Sequence, residues 1–427
     1  MLRAAAAPVR ARAGPGPCST TIPRVSIYLD NNATTRPLGP VADAMDRANR
    51  ELWHNPSSIH RPGQAARGQI ELARKHLAAL IGVRPRFITL VGSGTEAIDL
   101  AVRGTLQRFI AAGLATPPSI ITSRIEHSAV RELAEAMQTQ GRCRVHWLDL
   151  GPDGVVTVDA VARLLDADPH AALVSVQWAN NETGAVHPTL DIAALCRARG
   201  VVMHCDATQW VGKMPAPPDE APRLPDLVTF SPHKFHGPKG VGVLYARAGV
   251  PVSPQIHGEQ ELGRRGGTEN TPGILGAGVA AQLALAWLAD DAPRAGIAAL
   301  RDRFEGLVLA GFPGAVVNGP RDLPGQPPGT LRLYNTSNIG FPRLEAEALL
   351  LLLSERGVCA SAGAACSSGS LDPSPVLRAM GVPAHIAHGS LRFSLSRETT
   401  REEVDAAAAI VIDCASRLNA SMAGLPG

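Results

Sequence analysis

The 427-residue chain predicts an α/β fold in which a mainly parallel sheet is covered by helices on both faces and is followed by a second, smaller α+β domain. Three observations carry this. From about residue 66 short β-rich runs alternate with helical periods, the alternation stops after Thr268, and the remainder mixes strand-like runs with leucine-rich helix. Strands that alternate with helices read as βαβ units.

The first helix is "AARGQIELARKHLAALIG", whose apolar residues recur at helical spacing until Gly82 ends them. "RFITLVG" is rich in β-branched and aromatic residues and reads as a strand, and "SGTEAIDLAVRGTL" opens the next helix. Strands follow at "SIITS", "RVHWLDL", "ALVSVQWA", "VVMHCDA", "DLVTFS" and "VGVLYAR", with helical segments between several of them. Beyond Thr268 a long Ala/Leu helix spans about 274 to 290. It leads to "RLYNTSNIGF", a leucine-rich helix, a Gly/Ala/Ser stretch and "HGSLRFSLSR". Proline-rich segments at 215–225 and 320–328 read as surface connections, and no internal repeat is present.

Composition narrows the function. With 45% hydrophobic and 19% charged residues the chain can bury a large core, and its net charge of +3, without a basic stripe, argues against nucleic acid as a partner. Seven cysteines without a CxxC pair argue against a disulfide framework and against a zinc ribbon, which fits a reducing cytoplasm. The apolar run "ALLLLL" at 348–353 is too short to span a bilayer and reads as part of a buried helix, so no membrane segment is expected. Residues 1–24, rich in Ala, Arg and Pro and free of acids, read as a disordered tail rather than a targeting signal.

Sheets of this kind bind ligands beyond the carboxyl ends of their strands. Those ends read Gly92 to Thr95, Glu126 with His127, Asn180 with Asn181, Asp206 to Gln209, and Ser231 to Lys234. In "VGSGTEA" the glycines let backbone N–H groups approach an anion at a helix N-terminus, with Gly94 at the turn and Thr95 adding a hydroxyl. The motif lacks a third glycine, so it suits one phosphate better than a dinucleotide. Asp206 ends the strand "VVMHCD". Its ordinary role would be a cap, and its sharper role an anion that keeps a pyridine nitrogen protonated.

Lys234 lies in "FSPHKFHGPKG". A lysine in a loop is usually a solvated charge, but Lys75, Lys213, Lys234 and Lys239 are this chain's only lysines among 41 Lys plus Arg. A lysine kept where arginine is the easy choice points to chemistry that guanidinium cannot do, namely losing a proton and attacking a carbonyl. Lys234 with Asp206, and a phosphate turn at Thr95, is the set that pyridoxal phosphate requires. Ser231 and His233 could add donors to the phosphate, and His127 could stack on the ring.

With these residues, the chain resembles the cysteine desulfurases, pyridoxal 5'-phosphate enzymes of the class V aminotransferase group, from about residue 26 to 417. The matching runs are "YLDNNATT", "NPSSIH", "GSGTEAIDLA", "EHSAV", "WANNETG", "HCDATQ", "SPHKFHGPKGVGVLY", "GRRGGTEN", "CSSGSLDPSPVLRAMG" and "HGSLRFSLSR". The resemblance implies the type I fold of pyridoxal phosphate-dependent transferases. It also implies a large cofactor domain over 38–285 and a small one, built from 25–37 and 286–427, that carries the loop of the catalytic cysteine.

Residue by residue, it implies that Lys234 is the Schiff-base lysine and that Asp206 pairs with the ring nitrogen. Gln209 and Asn181 would bond the phenolic oxygen or its surroundings, and His127 would stack on the ring and move protons. Thr95, Ser231 and His233 would hold the phosphate, joined by Thr268 from the second subunit of a homodimer. Arg392 would grip the substrate carboxylate, for which a planar bidentate donor is suited. Cys366, in "CASAGAACSSGSLDPS", matches the catalytic cysteine; the commoner role of a free cysteine, a small core residue, fits poorly in a run without apolar period.

The implied reaction converts L-cysteine to L-alanine. The Cys366 thiolate attacks the substrate sulfur, and the resulting persulfide passes to an iron–sulfur scaffold or another acceptor protein. "YLDNNATTR", "WANNETG", "GRRGGTEN" and "HGSLRFSLSR" resemble the NifS-like, nitrogen-fixation branch. The chain departs from the commoner pattern at "GSGTEAID", at Ala364 and Ala365, and at the bulky Trp210, none of which removes a group assigned above.

Rival readings are a selenocysteine lyase or another class V enzyme, and, from another class, a phosphate- or nucleotide-binding oxidoreductase, which leaves Lys234 and Asp206 without a task. A metal enzyme using His204, Cys205, Asp206, His233 and His236 is disfavoured because neighbours on a strand face opposite sides. A non-catalytic scaffold would show neither chromophore nor turnover.

Overall fold

The computed structural model describes residues 26–111, 116–216, 223–323, 325–363 and 372–423. The tail at 1–24, part of the proline-rich segment at 215–225, and Cys366 lie outside the described residues.

In chain order the first elements are β1 (Ile27–Tyr28), α1 (Gly39–Glu51), α2 (Arg61–Ala79), β2 (Ile88–Val91), α3 (Gly94–Ala111), β3 (Ser119–Thr122), α4 (Ser128–Thr139) and β4 (Arg144–Trp147). Next come α5 (Val158–Ala167), β5 (Ala171–Ser175), α6 (Thr189–Ala198), β6 (Val202–Asp206), β7 (Leu227–Phe230), β8 (Gly242–Ala246) and α7 (Thr271–Leu288). The last are α8 (Ala292–Gly311), β9 (Val316–Val317), β10 (Thr336–Gly340), α9 (Ala346–Glu355), β11 (Val358–Cys359), α10 (Pro375–Ala379), α11 (Ala384–Ala387), β12 (Ser390–Ser394) and α12 (Arg401–Ala423).

Seven strands form the central sheet in the order β2-β8-β7-β6-β5-β3-β4. Only β8 is antiparallel to its neighbours, so the other six point their carboxyl ends to one edge. Every residue of β2, β3, β6 and β7 is buried, as a sheet covered on both faces requires. Side chains start several of the helices. Thr157 accepts the N–H of Ala160 at α5, and Asn270 that of Gly273 at α7.

Helix α7 is long and apolar enough to cross a bilayer by length and composition, but 61% of that stretch is buried. Its Ile274, Leu275, Ala277 and Ala281 belong to the same core cluster as Val41 of α1 and Leu77 of α2, which is the position of a core helix. Helix α9 departs from expectation. Leu349 and Leu353 are buried, whereas Leu351 is 70% exposed, because five leucines in succession cover more than one face of a helix.

A second layer forms around β10, which pairs antiparallel with β9 and β12, beside the parallel pair β1 and β11. Its core includes Phe304, Phe341, Phe393 and Leu349. Residues before α1 join this layer, since Asp30 bridges to Ser394 and β1 pairs with β11. We propose the division into 38–285 and 25–37 with 286–427 on the support of these two sheet systems.

Candidate functional site

The carboxyl ends of β2, β3, β5, β6 and β7 surround a cavity of about 390 Å³, within the range of about 300–1,000 Å³ usual for small-molecule sites. Gly94, Thr95, His127, Asn181, Asp206, Gln209, Ser231, His233, Lys234 and Arg392 all line it. Thr268 does not line its own chain's cavity and is exposed. Ser93 and Thr208, from the strand-end runs, line it as well, as do Asn32, Gln177 and Lys239, which are unforeseen from the sequence.

The turn before α3 is built for close approach. Ser93 Oγ accepts the Glu96 N–H at 3.1 Å, and Glu96 Oε2 accepts the Gly92 N–H at 2.8 Å, a near relative of the capping box. Glu96 is held in turn by Arg265 Nε at 2.8 Å. The first N–H groups of a helix have no partner inside it, so the start of α3 faces the cavity with donors and a positive dipole end. A Cβ on Gly94 would stand 3.3 Å from Ser231 Cβ, which leaves the backbone bare where an anion would sit.

Lys234 Nζ donates to the backbone carbonyls of Asn32 at 2.9 Å and Ala33 at 2.7 Å. Asp206, 6% exposed at the end of β6, accepts the Thr208 N–H at 3.0 Å through Oδ1. His127 caps α4, its Nδ1 accepting the Ala129 N–H at 3.1 Å. Burial lowers its proton affinity, with Asp206 opposing and Lys234 adding to the effect, so the ring is neutral at pH 7. His233 Nδ1 lies 3.1 Å from Thr34 Oγ1, and burial, with Lys234 and Lys239, brings its pKa down to about 3. The Ser231 hydroxyl differs from expectation: it donates to the Val241 carbonyl at 2.9 Å rather than being kept for a ligand.

On the opposite wall Arg392, 2% exposed, donates from NH2 to Asp30 Oδ1 at 2.7 Å and from NH1 to the Asn181 carbonyl at 3.1 Å. Its Nε is buried and has no hydrogen-bond partner among the described residues.

The donor set fits pyridoxal phosphate. It offers an amine for the aldehyde, a carboxylate for the ring nitrogen, a helix start for the phosphate, and a guanidinium for a substrate carboxylate. A metal centre does not fit. The His204 ring is held between Ser175 Oγ at 2.8 Å and Thr229 Oγ1 at 3.0 Å, and among the described residues no cluster of three His, Cys, Asp or Glu could hold an ion.

The family model of the class-V aminotransferases matches residues 27–407. The chain belongs to this family. Within the class-V aminotransferases it is 42% identical over 397 residues to the cysteine desulfurase of Nostoc sp., covering 92% of this chain and 94% of that protein. It is 42% identical over 383 residues to the cysteine desulfurase NifS of Azotobacter vinelandii, covering 89% of this chain and 90% of that one. Among solved structures, a NifS-like protein superposes with a TM-score of 0.81 at 34% identity, over 92% of this chain and all of that one. This class-V aminotransferase is accordingly a cysteine desulfurase, dependent on pyridoxal phosphate.

Proposed function

We propose that the chain desulfurates L-cysteine through a persulfide on Cys366 and passes that sulfur to an iron–sulfur scaffold or another acceptor protein, working as a cytoplasmic homodimer. One observation carries this reading: Lys234, Asp206, the start of α3 and Arg392 converge on a single cavity.

Pyridoxal phosphate bound there supplies an electron sink for the pair left when the substrate's α-proton departs. Lys234 would hold the group through its amine, whose hydrogens the carbonyls of Asn32 and Ala33 accept. Asp206 holds a proton on the ring nitrogen. Gly94, Thr95 and His233 bind the phosphate, joined by Ser231 once its hydroxyl leaves Val241. Thr268, exposed and outside its own cavity, is read as reaching the phosphate of a second copy.

His127 faces the ring. With Nδ1 engaged by Ala129, Nε2 is the atom left to exchange a proton. Gln209 and Asn181 would orient the ring's oxygen side, and Arg392, which lines the same cavity, would fix the substrate carboxylate through its guanidinium. The Cys366 thiolate would then attack the substrate's sulfur: the sulfur–sulfur bond forms as the carbon–sulfur bond breaks, the electron pair of that bond stays with the substrate's β-carbon, which takes up a proton, and the substrate leaves as alanine. The resemblance of its motifs to the NifS-like branch supports nitrogenase clusters as one consumer of this sulfur.

The test is alanine release from L-cysteine by protein loaded with pyridoxal phosphate. Cys366→Ser should keep a borohydride-trappable cofactor on Lys234 and lose alanine release to background. An undiminished rate in that variant removes the persulfide step, and failure to trap the cofactor on Lys234 removes the assignment of the site.

A further inference from the structure

Lys213 is a buried lysine that the chemistry above leaves unused. It is 4% exposed and sits in the turn after β6, next to Gly212, whose φ of 75° lets the chain reverse. A Cβ on Gly212 would lie 2.4 Å from the Phe235 ring, so this turn packs directly on the segment that carries Lys234.

Lys213 Nζ donates to Gln209 Oε1 at 2.6 Å and to Asn32 Oδ1 at 2.8 Å. Both amide oxygens therefore face Lys213, and both amide nitrogens point away from it. Gln209 Nε2 donates to the Asn32 carbonyl at 3.0 Å, the same carbonyl that receives Lys234 Nζ. Asn32 Nδ2 goes to the Asn181 carbonyl and to Thr336 Oγ1. Two amines thus share one hydrogen-bonded frame, with Asn32 and Gln209 between them.

The charged groups facing Lys213 are Lys234 and Arg392, with His233 and His236 within its field. Lys234 in addition faces His127, which is in turn close to Asp206. Burial, Lys234 and Arg392 all make Lys213 release its proton more easily.

We propose that Lys213 is a positioning residue for Lys234: its amine fixes the amide directions of Gln209 and Asn32, and through them the Asn32 carbonyl on which the Lys234 nitrogen rests. The proposal rests on the reading that Lys234 anchors the cofactor.

The experiment is a pH titration of the visible absorption of the holoenzyme in the absence of substrate. Lys213→Met should move the midpoint by about one pH unit, the size expected when a buried hydrogen bond that orients the site is lost. Lys213→Arg, which keeps the charge and the donors, should hold it near the parent value. A purely structural role would lower the melting temperature without moving the midpoint. An unchanged midpoint in Lys213→Met overturns the proposal. If that variant does not fold, Lys213→Gln, whose shorter side chain cannot bridge Gln209 and Asn32, must still move the midpoint, and an unchanged value there is equally decisive. A parent holoenzyme with no absorption borne on Lys234 overturns instead the reading beneath.

Discussion

Gly242→Ala would probe how closely the backbone is packed around the start of α3. Gly242 opens β8 opposite Val91, and a Cβ there would lie 2.0 Å from Ser93 O, 2.2 Å from Ser93 C and 2.8 Å from Gly94 N. All three are backbone atoms, so no side-chain rotation relieves the overlap. Real Cβ contacts essentially never fall below 3.0 Å, and either β8 or the turn at 92–94 must therefore move by about 1 Å. Overpacking of this kind costs about 1–3 kcal/mol, and a 1 Å displacement at a reacting site can cost about 100-fold in rate. Spectroscopic titration with pyridoxal phosphate, thermal melting of the cofactor-free protein and alanine release measure the three consequences.

We expect weaker cofactor binding, a lower melting temperature and a large fall in turnover. Gly68→Ala is the matched control. Gly68 is an exposed residue inside α2, a Cβ there would meet nothing within 4 Å, and alanine should stabilise by about 0.5–1 kcal/mol. A Gly242→Ala protein that binds cofactor with parental affinity and melts no lower would refute the reasoning.

Arg392→Lys keeps a cation but cannot hold Asp30, the Asn181 carbonyl and a substrate carboxylate together; KM for cysteine should rise about 10- to 100-fold, read from steady-state alanine release. Glu126 is buried, with Oε1 accepting from Gln177 N–H and Ser123 O–H, and desolvation raises its pKa from 4.5 to about 8. Its folded pKa exceeds its unfolded one, so its contribution is complete below about pH 4.5 and is lost as pH rises through about 8. Glu126→Gln should flatten the decline of melting temperature across that window; an unaltered pH profile would count against it. Arg332, 1% exposed, meets Glu305 Oε1 at 2.7 Å. Arg332→Ala should destabilise by about 3–5 kcal/mol in denaturant unfolding, whereas replacing both partners by apolar residues should recover most of the loss.

Much of the site is legible in the residues because parallel strands deliver their carboxyl-end residues to one edge, and strand ends can be read locally. Gly94, Thr95, His127, Asn181, Asp206, Gln209, Ser231, His233 and Lys234 all follow such strands. Lys213 escapes a reading of this kind, although its four-residue spacing from Gln209 is a signal that could find it. The hydroxyl of Ser231 looks free for a ligand because nothing local announces the Val241 carbonyl that takes its proton. The exposure of Leu351 is hidden because a leucine run shows no period from which to choose a face.

By itself the sequence determined the alternation of strands and helices through the central sheet, the turn at Gly92 to Thr95, and the placement of Lys234 and Asp206 at strand ends, since each depends on residue type and short-range spacing. Only the tertiary structure decided that Asn32 holds both Lys213 and Lys234, that Arg392 on β12 meets Asp30 across the second layer, and that Gly242 must lack a side chain beside Ser93. Those partners lie far apart along the chain, and what joins them is the shape of the packed interior, which leaves no periodic trace in the residues themselves.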